Sequence, residues 1–328
     1  MDKLTFAVLG AGSWGTALAL QLAHSGHQVL LWGRDENHLE QVGREGKNQK
    51  YLPNINFPKN LITQHNLKQA IESSSIVLLA TPSHSFESLL KQIKPFIKNQ
   101  KLLSATKGLC HGELLHTLVQ QQFPDIDYAL LSGPSFSKEV AKQLPTTVII
   151  ASENKQYSQL LAQAFSHQFF RVYTSEDITG VEIGGAVKNV LAVAVGISDG
   201  MSFGANARAA LITRGLAEMQ LLGKALGAQS KTLSGLSGLG DLVLTCTDQQ
   251  SRNLRFGLAI GKGFSIKQAQ ASINQVVESA STAIEIYSLA KKLNIAMPIA
   301  EQVYKVLHQD LAPKEAVKAL FSRALKSE

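Results

Sequence analysis

Short apolar runs alternate with amphipathic segments through the first half of the chain. The runs have the length of strands, and the segments between them have helical periodicity, for example at 85–97 and 112–122. Alternation of this kind predicts an α/β fold with a parallel, doubly wound sheet. We place its strands at 4–9, 28–32, 76–80, 101–105, 128–131, 146–151 and 169–172.

After the short polar stretch 174–180, the pattern is helical to the end of the chain. Helices are predicted at 206–222, 279–293 and 299–307, with a final one after Pro313. The change of pattern marks a domain boundary. We therefore predict a doubly wound domain over residues 1–178 and an all-α domain over residues 179–328.

An apolar helix predicted at 183–197 carries only two polar side chains, Lys188 and Asn189. Gly184 and Gly185 lie one turn before the lysine, so it projects from a face where another surface can approach the backbone closely. Burying an ammonium group is costly unless anions stabilise it. A lysine so placed can donate or accept a proton near neutral pH. The alternative is a side chain that lies along apolar surface with its amino group in water.

A glycine-rich turn, GAGSWG at 10–15, joins the first predicted strand to a helix at 16–24. Gly10 permits a tight turn, Gly12 lets the backbone approach a pyrophosphate, and Gly15 lets the helix pack closely on the strand. The helix N-terminus supplies free N–H groups to the anion. This motif, placed between a strand and a helix, predicts dinucleotide binding.

Arg34 follows the second predicted strand. NAD-specific sites place a carboxylate at this strand tip, where it accepts a hydrogen bond from the ribose 2′-hydroxyl. An arginine can instead hold a 2′-phosphate with two hydrogen bonds. We therefore expect NADP as the preferred cofactor, with NAD also used. Asp35 keeps the NAD reading open, and the alternative for Arg34 is a solvated loop residue.

Three later strand ends also carry polar residues: TPSH at 81–84, Lys107, and SGPS at 132–135. Ligands of parallel sheets bind beyond the carboxyl ends of the strands, so Lys107 is well placed to meet an anion. His84 is assigned no role, because a capping or surface position explains it equally well.

Two segments of the second half carry candidate chemistry. LSGLSGLGD at 233–241 reads as a glycine-dense loop of a kind that structure alone seldom requires. Ser251, Arg252 and Asn253 supply a hydroxyl, a guanidinium and an amide in succession, which suits a phosphate at a helix start. The alternative is that Ser251 only caps that helix.

Composition narrows the class of ligand. The chain has 328 residues, 45% of them hydrophobic, and a net charge of +7, which suits two domains and an acidic ligand. Its basic residues are scattered, which argues against nucleic acid and favours a phosphorylated small molecule. Cys110 and Cys246 lack metal-ligand spacing, so we expect no metal site and a cytoplasmic location. No apolar run reaches the ~20 residues of a membrane span, and no signal-peptide layout is expected.

The ordered motifs resemble those of bacterial NAD(P)-dependent glycerol-3-phosphate dehydrogenases over essentially the whole chain. The matching stretches are GAGSWGTALA at 10–19, TPSH at 81–84, KGL at 107–109, GPSF at 133–136, GVEIGGAVKNVLAVAVGI at 180–197, LSGLGDLVLTCT at 236–247 and SRN at 251–253. The resemblance implies a Rossmann domain joined to a helical domain, with the active site in the cleft between them.

Carried over position by position, the resemblance implies that Lys188 transfers the proton. It implies substrate contacts from Lys107, Gly133, Ser135, Lys188, Asp241, Ser251, Arg252 and Asn253. It implies dinucleotide contacts from Gly10, Gly12, Ser13, Trp14, Gly15, Arg34, Lys107, Ser137, Arg252, Val276 and Glu278.

The chain departs from the family pattern at two places. Ser137 stands where GPSF is usually followed by alanine, which adds a hydroxyl beside the cofactor. Ser279 stands where the family favours glycine, and glycine permits a loop geometry that serine resists. The contacts of Val276 and Glu278 therefore depend on how serine fits there.

The leading hypothesis is an oxidoreductase that reversibly reduces dihydroxyacetone phosphate to sn-glycerol 3-phosphate with NADPH or NADH, supplying the backbone of phospholipids. The alternatives are a similar dehydrogenase of a small hydroxy acid and a non-catalytic dinucleotide sensor. A carboxylate substrate does not require the phosphate-binding GPSF and SRN motifs, and a sensor has no need of Lys188. We expect a small-molecule substrate and no nucleic acid as partners, with a homodimer as one candidate assembly.

Overall fold

The computed structural model describes residues 3–273 and 277–322. The chain forms two compact units that divide between Glu182 and Ile183. The division falls inside one long helix, Ile178–Gly200. The domain boundary that the sequence places after residue 178 lies slightly earlier and stays a prediction.

A sheet of eight strands forms the centre of the first unit. The strands are β1 Thr5–Leu9, β2 Gln28–Trp32, β3 Leu61–Thr63, β4 Ile76–Leu79, β5 Lys101–Ser104, β6 Tyr128–Ser132, β7 Thr146–Ala151 and β8 Phe170–Ser175. Their order is β3-β2-β1-β4-β5-β6-β7-β8. All neighbouring pairs are parallel except β6 and β7, which are antiparallel. The predicted doubly wound α/β fold is confirmed, with one antiparallel pair added.

Helices flank the strands along the chain. They are α1 Ser13–His24, α2 Glu36–Glu45, α3 Leu67–Glu72, α4 Phe86–Ile93, α5 Leu115–Gln122, α6 Ser137–Ala141, α7 Lys155–Phe165 and α8 Ile178–Gly200. The helix predicted at 85–97 is three pieces, because 3₁₀ turns at Ser83–Ser85 and Lys94–Phe96 flank α4. The helix predicted at 112–122 begins later, at Leu115, since a tight turn occupies the residues before it.

The central strands carry continuous apolar runs because both faces of the sheet are covered. In β1, Phe6 and Val8 belong to the core cluster that includes the buried residues of α1. Ala7 and Leu9 belong to a second cluster, which includes the buried residues of α4. All four side chains have no exposed surface. Burial on both faces explains why these strands read as continuous apolar runs rather than as alternating ones.

The carboxylate of Glu182 caps helix α5 within the first unit. It is 2% exposed and accepts hydrogen bonds from the backbone N–H of Leu115 and from Nδ1 of His116, the latter at 2.6 Å. The first N–H groups of a helix lack intrahelical partners, and a negative charge there is favourable. Burial acts to lower the pKa of His116, but the hydrogen bond and the charge of Glu182 outweigh it and raise the pKa.

The second unit is entirely helical in the residues that the structure describes. After the rest of α8 come α9 Gly204–Ala225, α10 Ser230–Leu233, α11 Asp241–Thr247, α12 Arg252–Gly261, α13 Ile266–Ala271, α14 Ser279–Lys292, α15 Pro298–His308 and α16 Pro313–Phe321. A π-helical turn at Leu236–Gly240 leads directly into α11. The glycine-dense loop predicted at 233–241 is therefore wrong, because most of that segment is helical.

Glycines let α8 and α12 cross at backbone contact distance. A Cβ atom on Gly196 would overlap the carbonyl oxygen of Leu254, and one on Gly257 would overlap that of Val193. The pair Gly200 and Gly261 has the same relation one turn further along, since a Cβ on either would lie within 3.0 Å of the Cα of the other. Any larger side chain at these positions would push the helices apart, so these glycines serve packing.

Helix α8 passes the length and composition test for a membrane span, the one described helix that does so. It is longer than the apolar run identified in the sequence, since it extends to Ile178 and Gly200. Its most apolar window is 94% buried inside the protein. Such burial is typical of a core helix, which is apolar on all sides because protein surrounds it.

The His116–Glu182 contact makes stability depend on pH. The pKa of folded His116 is raised above its unfolded value, so the contact contributes fully below about pH 6.5 and is lost as pH rises through the folded pKa. We expect His116→Ala to lower the thermal midpoint by several degrees at pH 5.5, given about 1.5–3 kcal/mol for a charged hydrogen bond. The deficit should shrink toward pH 9.

Thermal denaturation followed by circular dichroism across this pH range measures the effect. The matched control is His65→Ala, since His65 is exposed and should give a small shift at every pH. A deficit of His116→Ala that is constant or grows with pH contradicts the assignment.

Candidate functional site

The turn between β1 and α1 is shaped as the glycine motif predicts. Gly10 has φ of 128°, a conformation that side chains rarely adopt, and a Cβ there would overlap the carbonyl oxygen of Ala80. A Cβ on Gly15 would overlap the carbonyl oxygen of Gly10, so α1 lies close against the turn. At Gly12, by contrast, a Cβ would meet no atom within 4 Å.

The open space at Gly12 lies at the N-terminus of α1, which begins at Ser13. Gly12 is the N-cap and has no side chain to satisfy the first N–H groups of the helix. A pyrophosphate can therefore approach the backbone and accept from those groups. Ser13 and Trp14 are partly buried on the first turn. This turn fits a dinucleotide.

The tip of β2 packs against the same turn. A Cβ on Gly33 would lie 2.9 Å from the Cβ of Ala11, so the strand tip and the glycine turn are in close contact. Arg34 follows and is exposed. Asp35 is the N-cap of α2, and its Oδ1 accepts from the backbone N–H of His38 at 3.1 Å. Asp35 thus caps a helix, whereas Arg34 is exposed to solvent at the strand tip.

Other predicted residues meet at the carboxyl ends of the strands. Nζ of Lys107 donates to the carbonyl oxygen of Gly133 at 3.2 Å and lies 6.0 Å from the ring centroid of Trp14. Trp14 Nε1 donates to the carbonyl oxygen of Ala105 at 3.1 Å. Ser135 Oγ also donates to Gly133, at 2.9 Å. The structure brings Trp14, Lys107 and the segment that holds Gly133 and Ser135 together, although these three places are far apart in the sequence.

Ser137 begins helix α6 and is partly buried. The segment that joins it to β6 contains Gly133, whose φ of 128° turns the chain away from the strand. Ser137 therefore lies near the cluster of strand-end residues along the chain.

Lys188 is buried in the second unit and pairs with a carboxylate. Its side chain is 8% exposed, and Nζ donates to Oδ1 of Asp241 at 2.6 Å and to Oγ1 of Thr245 at 3.1 Å. Asp241 is 1% exposed. The alternative of an amino group in water is therefore wrong. A buried ammonium of this kind needs its anion, because removing one partner leaves an uncompensated charge.

Glycines on both sides position this ion pair. A Cβ on Gly184 would overlap the carbonyl oxygen of Ser237, and one on Gly238 would overlap that of Leu233. The π-helical turn can therefore lie directly on α8, and Asp241 begins α11 immediately after it. The glycines at 233–241 thus have a packing role that sequence reasoning missed.

The thiol of Cys246 lies in the same environment. It has no exposed surface, and burial raises its pKa to about 12 despite the nearby charge of Lys188. Cys246 therefore stays protonated and is a packing residue rather than a nucleophile.

The predicted phosphate cradle begins helix α12. Ser251 is the N-cap, and its Oγ accepts from the backbone N–H of Leu254 at 3.2 Å. Ser251 therefore caps the helix, as the alternative stated. Arg252 is partly buried in the first turn. Asn253 Nδ2 donates to Oδ1 of Asn189 at 2.9 Å, which ties α12 to the residue beside Lys188. Capping leaves the Ser251 hydroxyl hydrogen available to an acceptor.

The remaining cofactor residues lie before α14. Val276 is outside the described residues. Glu278 is the N-cap of α14, and its backbone oxygen accepts from the hydroxyl of Thr282 at 2.9 Å. Ser279 is the first residue of the helix, and the structure gives it no positive φ. The expected conflict between serine and the backbone geometry is therefore wrong, since a right-handed helix accepts serine.

Sequence reasoning missed one residue that contacts Lys188, Thr245, and the partner of its neighbour Asn189. Thr245 lies one turn after Asp241 on α11, and that spacing was a signal that could have identified it. Asn189 could not be assigned a partner from the sequence, because Asn253 lies on a different helix. Together the second-unit residues combine a proton-carrying lysine with hydrogen-bond donors suited to an anion.

Comparison with known proteins assigns the family. The family model for the N-terminus of NAD-dependent glycerol-3-phosphate dehydrogenase matches residues 5–158, and the model for its C-terminus matches residues 177–318. A relative from Pseudoalteromonas translucida, glycerol-3-phosphate dehydrogenase (NAD(P)+), is 52% identical over 326 residues, covering 98% of this chain and 97% of the relative. A relative of the same name from Coxiella burnetii is 48% identical, covering 99% of each.

Solved structures agree with this assignment. The crystal structure of glycerol-3-phosphate dehydrogenase from Coxiella burnetii matches with a TM-score of 0.96 and 47% identity, covering 98% of this chain and 99% of that one. D-mandelate dehydrogenase, at 15% identity and a TM-score of 0.65, shares the fold alone. From its motifs, its two matching family models and its relatives, this chain belongs to the NAD(P)-dependent glycerol-3-phosphate dehydrogenase family.

Proposed function

We propose that this chain reduces dihydroxyacetone phosphate to sn-glycerol 3-phosphate with NADPH or NADH, and catalyses the reverse oxidation. The observation that carries the proposal is the buried lysine of α8, whose Nζ lies 2.6 Å from Oδ1 of Asp241. This pair places a proton donor in the unit that also carries a phosphate cradle. The family assignment supplies the substrate class.

The first unit binds the dinucleotide in this proposal. The backbone at Gly10, Gly12, Ser13 and Gly15 receives the pyrophosphate, with the N-terminus of α1 directed at the anion. Trp14 and Lys107 lie beside this turn. Arg34, exposed at the tip of β2, would hold the 2′-phosphate of NADP. When bound, NAD(P)H supplies the hydride.

The substrate phosphate is held by donors of α12. Arg252 provides a charged guanidinium, and Ser251 provides a hydroxyl at the helix N-terminus, where partial positive charge favours an anion. Asn253 Oδ1 is buried and accepts no hydrogen bond in the described part of the chain. We assign it to the hydroxyl group of the substrate. Lys107, Gly133 and Ser135 supply further substrate contacts.

Lys188 performs the proton transfer. During reduction the ammonium donates to the oxygen of the carbonyl as negative charge develops there, and during oxidation the neutral amine accepts the alcohol proton. Asp241 keeps the lysine protonated before the reduction, because a buried ammonium is stable only beside an anion. Thr245 fixes the direction of Nζ, since its Oγ1 lies 3.1 Å away while it donates to the backbone oxygen of Asp241.

The remaining cofactor contacts come from Ser137, Arg252, Val276 and Glu278. Ser137 is partly buried at the start of α6, and Glu278 precedes α14. The resemblance assigns Arg252 to both the dinucleotide and the substrate, and its planar guanidinium has enough donors for two acceptors.

Two other functions are less well supported. A dehydrogenase of a hydroxy acid shares the architecture, but a carboxylate substrate does not require the donor set of α12. A non-catalytic dinucleotide sensor would have no use for a buried Lys188–Asp241 pair, which costs desolvation free energy without binding the dinucleotide. We further infer a cytoplasmic enzyme that supplies glycerol phosphate for phospholipid synthesis, with a homodimer as the candidate assembly.

Replacing Lys188 tests the reaction itself. We expect the unmodified protein to consume NADPH when dihydroxyacetone phosphate is added, followed as loss of nicotinamide absorbance. Lys188→Ala should lower kcat by about 10²–10⁴-fold, the usual effect of removing a positioned acid–base group. Dinucleotide binding, measured by fluorescence titration, should be nearly unchanged.

Lys262→Ala is the matched control, since Lys262 is an exposed lysine of the same unit. Its kcat should equal that of the unmodified protein. A wild-type kcat in Lys188→Ala would overturn the assigned proton transfer.

Arg252 tests the phosphate cradle. Removing a charged hydrogen-bond partner costs about 1.5–3 kcal/mol, so Arg252→Ala should raise KM for dihydroxyacetone phosphate roughly ten- to a hundredfold. Arg252→Lys keeps the charge and should lose less. Steady-state kinetics measures both, and an unchanged KM in the alanine variant would leave α12 with a capping role alone.

Arg34 tests cofactor choice. Its contact with a 2′-phosphate is solvated, so we expect a preference for NADPH of about 1 kcal/mol, roughly fivefold in kcat/KM. Arg34→Asp should lower kcat/KM for NADPH while leaving or improving that for NADH, because a carboxylate repels the phosphate and accepts from the ribose hydroxyl. Arg44→Asp, at an exposed position of α2, is the charge-matched control. Equal losses with both cofactors would argue for a structural role of Arg34.

A further inference from the structure

A tight turn follows β5 and holds a histidine in an unusual conformation. Cys110 and Glu113 exchange backbone hydrogen bonds of 3.1 and 3.0 Å, with His111 and Gly112 between them. Both central residues have positive φ, 54° and 73°, the pattern of a type I′ turn. Few residues other than glycine adopt this conformation. The turn thus fixes where the imidazole of His111 can lie.

The imidazole of His111 lies beside the carboxylate of Glu87 on α4. Nε2 of His111 is 3.4 Å from Oε2 of Glu87, while Oε1 of Glu87 is 2.5 Å from Nζ of Lys91. The salt bridge with Lys91 engages one carboxylate oxygen of Glu87, and the other oxygen is directed at the histidine.

The thiol of Cys110 completes the cluster. Cys110 is 2% exposed, and its Sγ, a ligand atom of His111 and a carboxylate oxygen of Glu87 all lie within 4.8 Å of one another. Sulfur, imidazole nitrogen and carboxylate oxygen are the three ligand types of protein zinc sites. None of the three residues has a role in the function proposed above.

The distances suit a tetrahedral ion after a small adjustment. Zinc binds sulfur at about 2.3 Å and nitrogen or oxygen at about 2.0–2.2 Å, which places ligand atoms about 3.5 Å apart. Glu87 and His111 are already 3.4 Å apart. The side chain of His111 is 74% exposed and the carboxylate lies on a flexible stem, so both can close toward the buried sulfur.

We propose that Glu87, Cys110 and His111 bind one divalent transition-metal ion of the zinc class, with the fourth position open to water or to an external ligand. On binding, the thiol of Cys110 releases its proton to solvent and its sulfur bonds the metal as a thiolate. The thiolate, the carboxylate, the neutral imidazole and the dication then sum to zero net charge. Three protein ligands with one open position distinguish such a site from closed structural zinc sites.

The ion would also restrain the loop that carries Lys107. Lys107 precedes the turn on the same loop, and Gly108 between them has φ of 133°. Bonds to Cys110 and His111 would tie this loop to α4 through Glu87, and so would change the position or freedom of the Lys107 amino group. This coupling rests on the proposed function of Lys107, whereas the metal site itself does not.

Cobalt(II) is the spectroscopic probe for the site. Metal-free protein, kept reduced with a phosphine that does not chelate metals, is titrated with Co²⁺ at pH 7.5. We expect one ion per chain, with thiolate-to-cobalt charge-transfer absorption and the visible bands of tetrahedral Co²⁺. Zinc added afterwards should displace the cobalt and remove these bands. Binding without a charge-transfer band, or no binding, overturns the proposal.

Variants locate the ligands. Cys110→Ser should abolish the charge-transfer band, while Cys246→Ser, at the other buried cysteine, should keep it. Glu87→Gln and His111→Asn should each weaken Co²⁺ binding at least tenfold. Both keep the shape of the site, and asparagine tolerates the left-handed backbone at 111. If Cys110→Ser does not fold, Glu87→Gln and His111→Asn still test which residues bind the metal. Wild-type Co²⁺ affinity in both variants overturns the proposed ligands.

Kinetics test the coupling separately. One equivalent of Zn²⁺ should change KM for dihydroxyacetone phosphate at least threefold in the unmodified protein and leave Glu87→Gln unaffected. An unchanged KM with the cobalt bands present overturns the coupling while the metal site stands. Absence of turnover in metal-free protein counts against the proposed function, and the cobalt spectrum still decides the site.

Discussion

The burial of one ammonium group constrains the second unit. Lys188 lies on a helix that is otherwise almost wholly apolar, so its charge requires an anion at hydrogen-bond distance. Asp241 supplies that anion only because the π-helical turn before it can lie on α8, and glycines at 184 and 238 allow this approach. The charge of Lys188 thus depends on the carboxylate of Asp241, and the position of that carboxylate depends on the glycines.

The first unit is constrained by close backbone approach rather than by charge. Gly10 and Gly15 leave no room for a Cβ, while the space at Gly12 is open. The sheet then delivers Trp14, Lys107 and Gly133 to the same edge, since its parallel strands end side by side. Dinucleotide binding therefore depends on how tightly helix α1 packs on β1 and β4.

Helix capping and ligand binding share residues in this chain. Ser251 caps α12 and is also a candidate phosphate donor, because the cap uses its oxygen as an acceptor and leaves its hydrogen free to donate. Asp35 caps α2 through Oδ1 alone, so the cap by itself does not decide between Asp35 and Arg34 as the residue that meets the ribose. Whether a capping side chain can also bind a ligand therefore depends on which of its atoms the cap uses.

The sequence by itself determined the α/β class, the glycine turn, most strands to within one or two residues, and Lys188. These features depend on local periodicity and on residue types with few conformational alternatives. It missed the antiparallel direction of β7, because the apolar pattern of a strand reads alike in either direction. It also read the glycines at 233–241 as a functional loop, although they serve helix packing.

Only the tertiary structure decided which distant side chains meet. Thr245 shares a helix face with Asp241, but its contact with Lys188, like that of Asn253 with Asn189, forms only through packing between helices. The absence of paired cysteines likewise argued against a metal site, yet Glu87 meets Cys110 and His111 because a turn after β5 folds back on α4. Local pattern fixes the elements, whereas long-range packing fixes the chemistry between them, since ligand and proton-transfer sites are assembled from separate elements.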